Sequence, residues 1–120
     1  MKYLLLIYNN FAAYDAMSED ERNAIFADVD QLLDDLKKSG EFVGGVGLAD
    51  VSQTKTVRVR DGVPAVTDGP FVEAKEQMGG YLIVDCETTE RAVEIAANWP
   101  DARYFALEVR PIMDTASADM

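Results

Sequence analysis

The chain has 120 residues and 13.2 kDa, of which 48% are hydrophobic, enough for one domain with a proper core and too few for two. Twenty-two Asp and Glu against eleven Lys and Arg give a net charge of -11, which repels phosphate backbones and anionic membranes and excludes nucleic acid and membrane as expected partners. With no histidine there is no ordinary neutral-pH proton shuttle and no Ser-His or Cys-His nucleophile, and the single Cys86 reads as a reduced, buried thiol of a cytoplasmic protein.

Residues 2 to 8 read as a strand, apolar on both alternating faces, so both faces need cover. The run is too short for a signal peptide or a membrane span. Ser18 with Glu21 forms a capping box opening a helix, Ile25, Val29, Leu32 and Leu36 repeat at helical spacing, and Gly40 is the expected C-cap. Phe42 to Leu48 is a second strand, whose Gly44, Gly45 and Gly47 point to a bulge or a close backbone approach.

Thr56 to Arg60 alternates, Asp61-Gly62 is a two-residue hairpin turn, and Val63 to Thr67 returns as an edge strand because of Pro64. Met78 to Cys86 is a strand again apolar on both faces, Thr88 or Thr89 caps a second helix that Pro100 stops, and Arg103 to Val109 is the last strand. The domain is expected over 1–113, followed by a loose, disordered tail at 114–120.

With the hairpin set aside as an insertion, the order is β-α-β-β-α-β: an α+β, ferredoxin-like antiparallel sheet with both helices on one face. The other face would remain an exposed apolar patch. A homodimer packed sheet to sheet, with a cavity between the sheets, is therefore expected.

Candidate site residues cluster in two places. In the last strand Tyr104, Glu108 and Arg110 alternate onto the face away from the helices, where they could bind a carboxylate or simply form a satisfied ion pair. Arg58 and Arg60 share one face of the hairpin, and solvated cross-strand charges explain them best.

The second cluster is the Asp68-Gly69-Pro70-Phe71 turn with Glu73, Lys75, Gly79 and Gly80 after it. Phe71 is a plausible core anchor. Asp68 can bond its own loop or, facing Tyr8 or Arg110, act as a general base. Glu73, Lys75 and Glu76 fit one helical turn, where Lys75 could clamp an oxyanion or pair with an acid. The glycine pair marks a close approach and the expected cavity wall. No spacing of Asp68, Glu73 and Glu108 matches a metal motif, and no dinucleotide or phosphate loop is present, so neither metal nor cofactor is expected.

Taken together, Met1 to Tyr8, Val57-Arg58-Val59-Arg60-Asp61-Gly62, Thr67-Asp68-Gly69-Pro70-Phe71 with Glu73 to Gln77 and Gly79-Gly80-Tyr81, and Glu108-Val109-Arg110-Pro111 closely resemble the DGPF-type branch of the YciI-related proteins. The resemblance implies a bacterial protein forming a dimeric α+β barrel, with a link to extracytoplasmic-function sigma factor systems. Some relatives look like small enzymes using a His and Asp pair. This chain has no histidine to carry that role, so the dyad mechanism does not transfer. The expected function is binding of a small polar or anionic molecule between the sheets of the dimer, with weak lyase or isomerase chemistry on Asp68. The alternative is a regulatory or interaction protein whose acidic surface meets a basic partner.

Overall fold

The computed structural model describes residues 1–113, and the expected tail at 114–120 lies outside the described residues. Four strands form one antiparallel sheet: β1 (Lys2–Asn9), β2 (Phe42–Gly47), β5 (Gln77–Asp85) and β6 (Ala106–Pro111), in the spatial order β2-β5-β1-β6. The helices are α1 (Phe11–Asp15), α2 (Glu19–Ser39), α3 (Thr89–Asn98) and α4 (Asp101–Tyr104). Strands β3 (Lys55–Arg60) and β4 (Val63–Asp68) form a separate two-stranded sheet. The architecture is the expected ferredoxin-like α+β arrangement with an inserted hairpin.

Local chemistry accounts for most boundaries. Ser18 caps α2 through a bond from the Glu21 amide, the Ser18 hydroxyl bonds the Glu21 carboxylate, and Gly40 ends the helix with a left-handed φ of 80°. Thr88 caps α3. At the hairpin tip Asp61 and Gly62 both take positive φ, 53° and 76°, as a type I′ turn demands.

The core lies between one sheet face and the helices. Tyr3, Leu5 and Ile7 of β1 and Leu82 and Val84 of β5 are buried there against Leu36, Ala92, Ile95, Ala96 and Trp99. Leu107 and Val109 pack against the same cluster from β6. The opposite face carries half-buried Leu4, Leu6, Tyr8, Tyr81 and Ile83, and among the described residues no helix covers it.

Two expectations need correction. Residues 103–105 are not strand: Pro100, with φ -56°, pre-sets a new helical turn instead of merely stopping α3, so α4 intervenes and β6 begins only at Ala106. Tyr104 therefore does not follow the alternation of β6. Residues 69–76 contain no helical turn; the Gln77 side chain instead bonds the carbonyls of Val72 and Ala74 and holds that stretch as an irregular loop.

Candidate functional site

The site is built where β1 ends. Asn9 is the last residue of β1, and Asn10 caps α1 by accepting from the Ala13 amide. Helix α1 carries Tyr14, whose ring meets Phe105 edge-on at 5.5 Å. The Arg22 guanidinium, from the start of α2, donates to the carbonyls of Tyr14, Asp15 and Met17 and so closes the C-terminal end of α1. From the far end of the chain Pro100 delivers Asp101, 6% exposed and the buried acid of the core region.

These segments meet at one oxygen. Tyr14 Oη donates to Asp101 Oδ2 at 2.7 Å, and Asn9 Nδ2 donates to the same oxygen at 3.2 Å. Among the described residues no cation is paired with Asp101 and no donor reaches its Oδ1. Burial, then the bond to the Asp101 carboxylate, push the Tyr14 phenol far above its ordinary value.

The cluster opens on a cavity of about 550 Å³ between α2 and the sheet, lined by Ile7, Ile25, Phe26, Val29, Leu33, Phe42 and Trp99 among others, with Asn9, Tyr14, Arg22 and Asp101 at its polar end. Gly79 and Gly80 shape its floor. The β1–β5 register slips between Ile7, opposite Gly80, and Tyr8, opposite Met78, leaving Gly79 as a bulge. A Cβ on Gly79 would sit 2.3 Å from the Asn9 amide, and one on Gly80 would sit 2.7 Å from the Val46 carbonyl oxygen. The close approach read from the glycine pair is thus the Asn9 side chain on one residue and the β2 backbone on the next.

Of the candidate site residues read from sequence, Gly79 and Gly80 are the ones that line this cavity. Tyr8 and Glu108 lie together on the open sheet face, where the neighbouring carboxylate raises the Tyr8 phenol, first through hydrogen bonding to it. Arg110 is on that same face, opposite Leu4. Tyr104 sits half-exposed on α4.

The second cluster divides in the same way. Asp68 ends β4, exposed, in an ion pair with Lys55 rather than against Tyr8 or Arg110. Gly69 takes φ 93° and ties the hairpin base: its amide donates to the Thr54 carbonyl, and its own carbonyl accepts from Thr56 Oγ1. Pro70 is half-buried. Phe71 is no core anchor; it is 70% exposed with its ring under the Arg58 guanidinium at 4.7 Å, because the hairpin holds it away from the core. Glu73 is exposed. Lys75 gives its backbone carbonyl to Asn10 Nδ2 and edges a smaller cavity of about 280 Å³. Among the described residues no group of three or more metal-ligating side chains gathers, and no helix is long and apolar enough to cross a membrane.

Sequence reading missed Asn9, Tyr14, Arg22 and Asp101. The usable signal was an acid directly behind the apolar Trp99-Pro100 stop of α3 and an amide pair directly behind the apolar run of β1, both polar where the pattern is otherwise apolar.

The chain is 29% identical over 114 residues to an uncharacterized protein of Rhizobium meliloti (strain 1021), an alignment covering 93% of this chain and 92% of the relative. A family model described as the YCII-related domain matches residues 1–116. With a match over nearly its whole length and the ferredoxin-like sheet in place, the chain belongs to the YCII-related domain family.

Proposed function

We propose that this protein binds a small, mainly apolar molecule in the cavity between α2 and the sheet and orients it through a hydroxyl or amine donated to Asp101. The observation that supports this is the buried Asp101 carboxylate, held by two neutral donors on one oxygen while its other oxygen is left over at the edge of an apolar cavity. Among the described residues no buried side-chain oxygen lacks a partner, so the second Asp101 oxygen, which accepts no bond from the protein, is accessible and a ligand donor can reach it. The volume of about 550 Å³ fits a ligand of metabolite size. Where a small polar or anionic molecule between the sheets of a dimer was expected, this reading favours a donor-bearing ligand on the helix side of the sheet, because a second negative charge beside Asp101 would be repelled.

The test is a thermal-shift and calorimetric comparison of matched aromatic alcohols, amines and carboxylic acids. Alcohols or amines should bind, the acids of the same skeleton should not, and Asp101→Ala should abolish the response. Equal binding of the acids, or binding indifferent to Asp101→Ala, would sink the proposal.

A homodimer packed through the open sheet face is the assembly that accompanies this reading. Leu4, Leu6, Tyr81 and Ile83 make an apolar centre there, while Lys2, Arg110, Asp85 and Glu108 on the same face cancel in charge. In a chain of net charge -11 that neutral face is where a second acidic copy can approach without repulsion. The DGPF-type branch, lyase or isomerase chemistry and a link to sigma-factor systems remain further proposals. The acidic outer face of α2, with Asp20, Glu21, Asp34 and Asp35, supports the interaction reading, and recovery of a stable basic protein partner without any cavity ligand would favour it.

A further inference from the structure

We propose that the β3–β4 hairpin is a clasp whose apolar face closes over a second copy of this chain; this rests on the sheet-to-sheet pairing proposed above. The cross-strand register sorts the hairpin into two unlike faces. Val57 opposite Val66 and Val59 opposite Pro64 share one face, with the Lys55–Asp68 ion pair at its base, while Thr56 opposite Thr67, Arg58 opposite Ala65 and Arg60 opposite Val63 share the other. Phe71 stacks on Arg58 and so lies against the polar face. The apolar face has no such cover: Val57, Val59 and Val66 are 60%, 56% and 61% exposed.

The hairpin also points away from its own domain. The radius of gyration is 16.4 Å, where a compact chain of this length reaches about 13–14 Å. The molecule is a slab only 18 Å thick in its shortest Cα dimension. That depth is filled by one sheet and one helix layer, at roughly 10 Å between layers, so the hairpin extends sideways and folds over neither face. Its base is nonetheless fixed by the Gly69 bonds to Thr54 and Thr56, which makes it a positioned arm.

Area selects a second copy as the occupant, and charge permits it. Lys55, Arg58 and Arg60 against Asp61 and Asp68 leave residues 55–68 close to neutral in a chain of net charge -11, so a second acidic copy meets little repulsion there. Two six-residue strands present a face of roughly 200 Å², and the open face of the main sheet adds roughly 400–500 Å². A stable dimer buries about 800 Å² of accessible surface per partner, so neither face suffices alone and the two together approach that size. A two-fold axis lets each copy supply both surfaces at once and closes the assembly at two.

The experiment measures the dimer dissociation constant by analytical ultracentrifugation from micromolar to millimolar concentration. Val57→Lys with Val66→Lys should weaken the dimer by about 100-fold or more. Ala65→Lys with Thr67→Lys adds the same charge to the opposite face and should leave the constant within about threefold. The milder Val57→Thr with Val66→Thr, which keeps strand-forming β-branched residues, should still weaken it about tenfold if the lysine pair disturbs the hairpin itself. Circular dichroism and Trp99 emission check that the domain is intact. A monomeric wild-type chain would overturn the sheet pairing and the clasp with it. A wild-type dimer that both valine pairs leave unchanged, or that the opposite-face pair weakens equally, would overturn the clasp alone.

Discussion

Alanine at Gly80 is the sharpest probe of how the sheet and cavity floor are built. A Cβ there would lie 2.7 Å from the Val46 carbonyl oxygen and 3.3 Å from the Gly47 Cα, both backbone atoms of the neighbouring strand β2. Neither can rotate aside, so β2 must move by several tenths of an ångström, and overpacking of this kind costs about 1–3 kcal/mol. For a chain of this size the loss corresponds to roughly 4–12 °C in Tm.

The neighbouring glycines supply the controls. At Gly79 the clash is with the Asn9 amide, a side chain that can swing away, but doing so gives up its bond to Asp101. Gly79→Ala should therefore cost about 1 kcal/mol and weaken binding in the cavity. Gly44, with nothing within 4 Å of an added Cβ and no positive φ, should accept alanine with no loss, or gain about 0.4–1 kcal/mol through the unfolded chain. Urea and thermal unfolding of the three variants are the assay. A Gly80→Ala protein as stable as wild type, or a Gly44→Ala protein less stable than Gly80→Ala, would refute the packing argument.

Two further outcomes follow from the titrating groups. Because burial and Asp101 raise the Tyr14 phenol, its contribution to stability is complete below the unfolded tyrosine value and is lost only as pH rises through the folded one; in a spectrophotometric titration the native chain should lag the unfolded chain, and Tyr14→Phe should remove about one tyrosine of that lag. Glu41 accepts from Arg91 Nε at 2.9 Å and Nη2 at 2.8 Å, which holds its carboxyl below the usual value and joins the start of β2 to α3; Glu41→Gln should cost about 1 kcal/mol at neutral pH, a difference fully present above the unfolded glutamate value, fading as pH falls through the folded one, and measured by urea midpoints from pH 7 to 3.

What could be read along the chain was whatever depends on neighbours in sequence. The capping box at Ser18, the Gly40 stop and the Asp61-Gly62 turn are local bargains between a side chain and the backbone within four residues, and each lies where its chemistry put it. Alternation in β1 was equally legible, since Tyr3, Leu5 and Ile7 are buried while Leu4 and Leu6 are only half-buried on the far face. Pro100 was ambiguous for a physical reason: the residue that ends one helix has the φ that begins another, and only the packing of Trp99 and Asp101 decides between them. Phe71 failed as an anchor because an aromatic ring signals apolar cover without saying whether a core or an arginine supplies it.

The candidate site was the least legible part because it is assembled from Asn9, Tyr14 and Asp101, the last of which lies 87 residues beyond Tyr14. No spacing rule can bring such residues together; the sheet does, by setting β6 beside β1 so that the chain leading into β6 passes the end of β1. The charged loop at 68–76 drew attention because its residues are adjacent, yet several of them are already occupied by the neighbouring hairpin and by Gln77: Asp68 with Lys55, Phe71 with Arg58, and the carbonyls of Val72 and Ala74 with the Gln77 side chain. A polar group that finds its partners nearby has little left for a ligand. Asp101 is the converse, a buried carboxylate given two neutral donors and no cation by the elements around it, and that shortage is why it is the residue to test.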